Sequence, residues 1–153
     1  MKKNFLPISI DISESKILVI GGGESALKKI KILQKSNAHV HVLSEDFIDD
    51  IQRLDILKIR KEYEKNDLKG YLMLYSCTDD DLLDQQIAAD GLELGVLVNV
   101  HDKPSFCQFV SPAIYRYGNI SVAVSSNGEN VQEAIRVRNL IQEFLENLKN
   151  TQI

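Results

Sequence analysis

The sequence has few of the features that mark secreted, membrane-spanning or nucleic-acid-binding proteins. Its two cysteines, Cys77 and Cys107, form neither a Cys-x-x-Cys pair nor a disulfide framework. No apolar run approaches the about 20 residues of a membrane-spanning helix, and Pro7 interrupts the short N-terminal apolar stretch, which makes a poor signal peptide. The formal net charge of −4 offers no basic patch for nucleic acid or an anionic membrane. These absences favour a soluble, reduced, cytoplasmic protein.

Apolar residues are abundant enough for a real core. They make up 44% of 153 residues, which is the size of one domain with a small appendage. The chain contains no internal repeat and no low-complexity segment.

The most informative segment is a run of β-favouring residues that ends in three glycines and leads directly into a helical pattern. Gly21, Gly23 and Ala26 fit the spacing G-x-G-x-x-G/A of a dinucleotide-binding turn. Gly21 permits the tight turn, Gly23 lets a phosphate approach the backbone, and Ala26 lets the helix pack closely. The first helical residues, Glu24 and Ser25, present backbone N–H groups and the positive end of the helix dipole. A merely structural turn is the alternative.

Strands and helices alternate as far as about residue 110. The predicted strands are 8–10, 16–20, 39–43, 56–59, 71–76 and 96–100. The predicted helices are 24–36, 46–54 and 80–92, the last with Thr78 or Asp79 as its cap. This alternation is typical of the α/β class and predicts a Rossmann-like, doubly wound parallel sheet with helices on both faces.

The carboxyl ends of the strands should meet at one cleft, where such sheets bind their ligands. They are 21–23, 44–45, 78–79 and 99–102. Ser44 and Glu45 end the second strand, where an acidic residue usually binds the adenosine ribose. Because no Arg or Lys follows immediately to meet a 2′-phosphate, the cofactor is predicted to be NAD rather than NADP.

The remaining cofactor candidates lie on the two later strand ends. Thr78 and Asp79 are expected to border the adenine or ribose, a role compatible with capping the next helix. Asn99 and Val100 end the last strand of the sheet, on the nicotinamide side. A buried, hydrogen-bonded amide is the alternative for Asn99.

The pattern changes in the last third of the chain. Two strand patterns, 113–117 and 120–125, flank the hairpin signal Gly118-Asn119, and one long helix is predicted over 130–149. A hairpin and one helix are too small to bury their own core. They must pack on the first domain or on a second copy, and we favour a homodimer with strand 120–124 in the interface. The predicted domains are a nucleotide-binding domain, 1–112, and a dimerisation segment, 113–153.

Several segments in register resemble the precorrin-2 dehydrogenase family, also called the siroheme synthase N-terminal family. They are Leu6-Pro7-Ile8, Val19-Ile20-Gly21-Gly22-Gly23-Glu24-Ser25-Ala26 with Lys29, Cys77-Thr78-Asp79-Asp80, Val98-Asn99-Val100-His101-Asp102-Lys103-Pro104, Phe109-Val110-Ser111-Pro112-Ala113, and Ile120-Ser121-Val122-Ala123-Val124-Ser125-Ser126-Asn127-Gly128. The resemblance implies a dimeric enzyme that uses NAD to oxidise precorrin-2 to sirohydrochlorin. Some members also insert Fe²⁺, as ferrochelatases.

Two departures from the family pattern bear on the substrate half of the site. The family's G-x-S/A-P before the last helix is Gly128-Glu129-Asn130-Val131 here, so that Asn130 is expected to cap the helix in place of the proline. The chain ends at Ile153, so most of the family's C-terminal helical region is expected to be absent. A non-catalytic NAD-binding module, or a subunit that needs a partner, is therefore the alternative function.

Asp102 is the predicted catalytic residue, because the resemblance implicates the aspartate at this position in dehydrogenation and in chelation. A carboxylate beside the nicotinamide can accept the proton that precorrin-2 loses. His101 is either a proton relay or an exposed loop residue. The alternative for Asp102 is a loop residue that caps the turn before Pro104. His39 and His41 lie two residues apart, a spacing that can bind a metal ion. No metal site is expected there, since no third ligand lies nearby.

The resemblance places substrate-binding residues after the hairpin. Ser125 and Ser126 are expected to face the tetrapyrrole site across the dimer, and Arg138 to pair with tetrapyrrole carboxylates, as Arg136 also could. The alternatives are a polar turn for the two serines and solvated helix charges for the arginines.

Overall fold

The chain forms two compact units. The computed structural model describes residues 3–151, with the side chains of residues 3–148. Its contacts group Ser9–Phe109 as one unit, and the chain from Val110 onward with the segment up to Ile8 as the other. The contacts thus place the N-terminal segment with the hairpin and the last helix.

The larger unit is built on five parallel strands. They are β1 (Lys16–Ile20), β2 (His39–Ser44), β3 (Leu57–Arg60), β4 (Met73–Ser76) and β5 (Leu97–Val100). The spatial order is β3-β2-β1-β4-β5, so the chain reverses its direction of winding at β1. This order confirms the predicted doubly wound sheet.

One predicted strand is wrong. Residues 8–10 form no strand, and the sheet ends at β3 and β5. Ile8 and Ile10 are 68% and 37% exposed. The alternating apolar residues beside Pro7 therefore form no strand, because no neighbouring strand supplies them with backbone hydrogen bonds or burial.

Three α-helices connect the strands: α1 (Glu24–Gln34), α2 (Asp49–Gln52) and α3 (Asp81–Leu94). Short 3-10 turns cover Lys65–Leu68 and Pro104–Phe106. Helix α1 buries Ala26, Ile30 and Leu33, which is the predicted face. The predicted cap of α3 is wrong by one or two residues, because Asp80 accepts hydrogen bonds from the backbone N–H groups of residues 82 and 83.

The core lies on both faces of the sheet. Five apolar strand residues are fully buried, at 0% exposure: Leu18, Val19, Val42, Leu74 and Val98. Covered parallel strands read as continuous apolar runs because neither face meets water. Burying one such side chain stabilises the fold by about 1.5–3 kcal/mol.

The smaller unit contains an antiparallel hairpin, β6 (Ala113–Tyr117) and β7 (Ile120–Val124), and helix α4 (Val131–Thr151). Tyr117 pairs with Ile120, so the predicted two-residue turn is confirmed. The side chain of Asn130 accepts from the backbone N–H of Glu133 at 2.9 Å, which confirms the predicted cap. None of the described helices is long and apolar enough to cross a membrane.

Helix α4 carries an exposed apolar stripe, of which the sequence pattern indicated Leu148 but not Leu140 and Phe144. Leu140, Phe144 and Leu148 are 52%, 62% and 44% exposed. Their spacing of four residues places them on one side of the helix. Ala134, earlier in the same helix, is by contrast buried, with 6% of its surface exposed.

Candidate functional site

A cleft of about 520 Å³ opens at the carboxyl ends of β1, β2 and β4. Six of the predicted cofactor residues line it: Gly21, Gly23, Ser44, Glu45, Thr78 and Asp79. The parallel sheet brings them together because equivalent strand ends share one edge. Three of the four predicted strand ends therefore meet as expected.

The glycine turn, Gly21–Gly23, forms the floor of this cleft. A Cβ on Gly21 would lie 2.3 Å from the carbonyl oxygen of Cys77, and one on Gly22 would lie 1.7 Å from that of Asp46. A Cβ on Gly23 would meet no atom within 4 Å. The first two glycines let strands and loops approach, whereas the third leaves open space beside the backbone.

The open space lies at the start of α1. Gly23 is the residue before the first helical turn, and within the described residues no side chain caps that turn. The first N–H groups of a helix have no intrahelical acceptor, so they and the helix dipole favour an anion there. Glu24 and Ser25 belong to this turn but do not line the cleft. The turn fits the diphosphate of a dinucleotide.

The end of β2 carries an ion pair that sequence reasoning missed. Arg60 Nη1 donates to the carbonyl oxygen of Glu45 at 3.0 Å and to Asp46 Oδ1 at 2.7 Å. Arg60 lies fifteen residues beyond Glu45, so only the pairing of β2 with β3 could reveal it. Its charge is engaged by Asp46, while the side chain of Glu45 is exposed.

The loop after β3 supplies further lining residues that the sequence analysis did not single out. Lys61, Glu62 and Tyr63 face the cleft. Hydrogen bonds to Glu64 and Asp67 raise the pKa of Lys61, so its charge is used locally. Burial raises the pKa of Tyr63, whose hydroxyl hydrogen-bonds to Asp90 at 3.0 Å.

Thr78 joins the cleft to a buried carboxylate. Its Oγ1 donates to Asp84 Oδ1 at 2.7 Å, and Ser76 Oγ donates to the same oxygen at 2.6 Å. Lys103 Nζ lies 2.5 Å from the other carboxylate oxygen. Asp84 is 1% exposed. The sequence offered no sign of it, because an aspartate in a first helical turn is ordinary.

Two more predicted cofactor residues, in addition to Glu24 and Ser25, lie outside the lining of this cleft. Asn99 is 8% exposed, and its amide donates to the carbonyl oxygen of Phe109 at 2.9 Å. That is the buried, hydrogen-bonded arrangement left open by the sequence. Val100 as a whole, backbone included, is only 2% exposed.

Asp102 follows β5 in a strained and accessible position. Its backbone is left-handed, with φ of 56°, and its side chain is 85% exposed. His101 Nε2 lies 3.4 Å from Asp102 Oδ2, within reach of an ion pair when the histidine is protonated. Asp102 does not line the cleft described above.

Lys29 is a candidate that the sequence motif contained but did not single out. Its Nζ lies 4.5 Å from the ring centroid of Tyr75. Burial lowers its pKa, and the charges of Cys77, Cys107 and Asp102 act in the opposite direction. A desolvated lysine beside these groups marks the region near Asp102 as electrostatically unusual.

The cysteines and histidines of this unit are engaged within the fold. Burial raises the pKa of the Cys77 thiol to about 12, so it is protonated at neutral pH. His41 Nδ1 hydrogen-bonds to the hydroxyl of Tyr71 at 2.8 Å. Among the described residues, no group of three or more His, Cys, Asp or Glu side chains is placed to hold a metal ion.

The predicted substrate residues lie in the smaller unit. Ser125 Oγ and Ser126 Oγ accept from the backbone N–H groups of Asn127 and Asn130, at 3.3 and 3.0 Å. Arg138 Nη1 donates to the carbonyl oxygen of Ile114 at 3.1 Å. Its Nε is buried with no hydrogen-bond partner among the described residues.

Arg136 differs from Arg138. It forms a two-point ion pair with Glu133, at 2.8 and 2.6 Å, on the exposed side of α4. Arg136 thus has its counter-ion within its own helix turn. Arg138 retains an unsatisfied donor that a ligand carboxylate would satisfy.

A sequence-family comparison decides the class of this cleft. The profile of a family described as "Putative NAD(P)-binding" matches residues 8–113. The chain belongs to this NAD(P)-binding family. The matched region contains the glycine turn, the ends of β2 and β4, and Asp102. The dinucleotide class of cofactor predicted from the glycine turn is therefore confirmed.

Members of the NAD(P)-binding family that resemble this chain are longer proteins. The siroheme synthase of Ectopseudomonas mendocina is 34% identical over 144 residues, which cover 92% of this chain and 31% of the relative. The siroheme synthase of Pseudomonas fluorescens is 35% identical over 130 residues, 82% of this chain and 28% of the relative. The chain thus spans less than a third of these curated relatives.

A solved structure shares the fold. The protein described as SirC, precorrin-2 dehydrogenase, superposes with a TM-score of 0.71 at 21% sequence identity. The match covers 91% of this chain and 70% of the other. The parallel sheet, the hairpin and the last helix therefore recur in a protein of distant sequence.

Proposed function

We propose that this protein catalyses the NAD-dependent dehydrogenation of precorrin-2 to sirohydrochlorin, a step in siroheme-type tetrapyrrole biosynthesis. The names of its relatives, siroheme synthase and precorrin-2 dehydrogenase, support this reaction. So do the matched segments around the glycine turn, Asp102 and the hairpin. The proposal also assigns the protein to the cytoplasm, in keeping with two buried cysteines that form no disulfide.

The observation that carries the proposal is the state of Asp102. Its left-handed backbone, with φ of 56°, is a conformation that aspartate adopts more readily than most residues, and it turns the chain sharply after β5. The residue follows β5, at the same edge of the sheet as the glycine turn. An exposed carboxylate held at the ligand edge of a dinucleotide-binding sheet is suited to accept a proton.

The reaction requires precorrin-2 to lose one hydride and one proton. The nicotinamide ring, when NAD is bound, supplies the hydride acceptor. The glycine turn and the start of α1 hold the diphosphate, and Ser44 and Glu45 hold the adenosine ribose. Asp102 accepts the proton at its carboxylate, and His101, 3.4 Å away, passes it to solvent.

The end of β2 favours NAD over NADP. The carboxylate of Glu45 is exposed and would repel a 2′-phosphate. Arg60, the nearby cation, donates instead to Asp46 and to the carbonyl oxygen of Glu45. The expected result of calorimetric titration is at least tenfold tighter binding of NAD⁺ than of NADP⁺.

We further propose that Ser125, Ser126 and Arg138 contribute to binding the tetrapyrrole. The guanidinium of Arg138, of which Nη1 donates to the carbonyl oxygen of Ile114, is of the type that pairs with a carboxylate ligand. The exposed apolar residues of the smaller unit support a homodimer, with β7 and the stripe Leu140–Phe144–Leu148 in the interface.

The test is a direct assay. The purified chain is incubated with precorrin-2 and NAD⁺, and the absorbance of sirohydrochlorin is followed. Asp102→Asn should lower kcat by at least about 100-fold, because a general base is lost, while the Kd for NAD⁺ stays within twofold. The matched control is Asp49→Asn, an exposed carboxylate on α2, which should keep full activity.

Two results would contradict the proposal. If the wild-type chain binds NAD⁺ and produces no sirohydrochlorin, it is a non-catalytic NAD-binding module or a subunit that needs a partner. If Asp102→Asn retains full turnover, the proton acceptor lies elsewhere.

A further inference from the structure

Asp84 is a buried carboxylate that the proposed reaction does not use. It lies in the first turn of α3, and its side chain is 2% exposed. Donors from three segments converge on it: Ser76 from β4, Thr78 from the loop that follows, and Lys103 from the loop after β5. A buried charge is tolerated only when it is paired and hydrogen-bonded, and Asp84 satisfies both conditions.

Lys103 comes directly after Asp102 in the chain. The Asp102 turn, Val100–Lys103, is closed by a hydrogen bond from the backbone N–H of Lys103 to the carbonyl oxygen of Val100, at 3.2 Å. The side chain of Lys103 folds back onto α3 and is only 28% exposed. Its ammonium group lies 2.5 Å from Asp84 Oδ2 and 2.5 Å from Asp81 Oδ1.

We propose that the Asp84–Lys103 ion pair is a positioning device that holds the Asp102 turn in its left-handed conformation. The inference rests on the proposed function, because it is the proton transfer at Asp102 that requires a fixed carboxylate. The left-handed conformation is one of several that an aspartate in a loop can adopt, and Lys103, the next residue, is tied to the helix by a buried anion, which fixes the chain on that side of the turn.

The same carboxylate also braces the cleft. Thr78 lines the cofactor cleft and donates to Asp84, so one buried group holds both a cleft wall and the Asp102 turn. Neither Ser76 nor Thr78 needs a charged acceptor, since an asparagine oxygen would accept the same two hydroxyl protons. The charge on Asp84 is needed by Lys103 alone.

Four variants of the full chain separate positioning from stability. Lys103→Met leaves the carboxylate of Asp84 buried without its cation, whereas Asp84→Asn leaves Lys103 with only its exposed partner, Asp81. The double variant removes both charges together. Asp81→Asn is the matched control, because it removes only the exposed partner of the same lysine. The side chain of Asp81 is 79% exposed.

The expected results differ between thermal stability and turnover. Lys103→Met should lower both Tm and kcat, the latter about tenfold. The double variant should recover most of the lost Tm, since no unpaired charge remains buried, while kcat stays about tenfold below wild type.

KM for precorrin-2 and the Kd for NAD⁺ should stay within about twofold of the wild-type values in all four variants. Asp81→Asn should keep kcat within twofold. Recovery of kcat together with Tm in the double variant would overturn the proposal.

Hydrogen exchange tests the same idea without turnover. The amide of Lys103 should exchange at least tenfold faster in the double variant than in wild type, while the amide of Leu18 in β1 is unchanged. Equal protection of the Lys103 amide in both proteins would refute the positioning role. If wild type binds NAD⁺ but does not oxidise precorrin-2, the proposed function fails, and exchange still decides whether the ion pair holds the turn.

Discussion

At the scale of single residues, the middle glycine of the turn is as sterically constrained as Gly21, which the dinucleotide motif specifies, and more constrained than Gly23. Gly22 lies against the backbone of the segment after β2, and the backbone N–H of Ile48 donates to its carbonyl oxygen at 2.9 Å. The motif leaves this position free, because a one-dimensional pattern does not include a loop that arrives 24 residues later. Gly22 therefore has a folding role, and Gly23 has a binding role.

The two roles predict different outcomes for two alanine substitutions. Gly22→Ala should destabilise the fold by about 2 kcal/mol or more, because its Cβ would overlap the carbonyl oxygen of Asp46. Gly23→Ala should cost less than about 1 kcal/mol, but should weaken NAD⁺ binding at least tenfold by filling the space for the diphosphate. Urea denaturation and calorimetric titration measure the two effects. Equal loss of stability in both variants would contradict this division.

Lys29 predicts a pH dependence of stability. Burial lowers its folded-state pKa below the ordinary value of 10.5, so the unfolded chain binds the extra proton between those two values. The free energy of unfolding therefore rises with pH through this window, as Lys29 loses its proton in the folded protein. At neutral pH the folded protein still carries the buried charge, so its full cost is present.

Lys29→Met should remove that dependence. The variant is expected to be more stable than wild type at pH 7, with an advantage that shrinks as the pH approaches 10.5. Urea denaturation at pH 7, 9 and 10.5 measures it. A constant difference across this range would show that Lys29 carries its charge in the folded state without a penalty.

At the scale of elements, α3 shows how a helix start is chosen among several candidates. Thr78, Asp79 and Asp80 are all capping residue types, and the sequence pointed to the first two. The carboxylate of Asp80 accepts from the N–H groups of Leu82 and Leu83, at 2.9 and 3.1 Å. Thr78 is instead engaged by Asp84 across the first turn. The buried carboxylate thus set the position of the cap.

Asp80→Ala should lower the free energy of unfolding by about 1 kcal/mol, since two backbone donors lose their acceptor. Asp79→Ala is the matched control and should leave stability unchanged. Thermal melting followed by circular dichroism compares them. A larger loss in the control would mean that Asp79 caps the helix in solution.

At the scale of the whole molecule, the smaller unit leaves apolar surface uncovered. Its sheet has two strands, and Ile120 on β7 is 55% exposed. Phe144, at the centre of the stripe on α4, is 62% exposed. Exposed apolar groups of this kind mark association surfaces.

Phe144→Glu should weaken the proposed homodimer by about 2 kcal/mol or more, because a charge would replace an aromatic group at the centre of the interface. Sedimentation equilibrium should show a shift toward monomer, whereas the exposed control Glu143→Gln should not change the association. A wild-type chain that sediments as a monomer at all concentrations would refute the dimer.

The sequence alone was sufficient for the sheet, the helices of the larger unit and the cofactor class. These features depend on local patterns: β1 and α1 are read from apolar periodicity, and the glycine turn from three residues in a row. Local backbone preference and burial act over a few residues, so a linear pattern records them. The predicted strand at residues 8–10 was wrong because a strand also needs a partner strand, which a linear pattern does not contain.

The long-range ionic arrangement required the tertiary structure. Arg60 reaches Glu45 because β3 pairs with β2, and Lys103 reaches Asp84 because the loop after β5 folds back onto α3. Electrostatic energies depend on distance in space and on desolvation, and separation along the chain determines neither. The sequence therefore predicted the cofactor turn and, through the family resemblance, Asp102, whereas the ion pair that we propose holds the Asp102 turn became visible only in the folded chain.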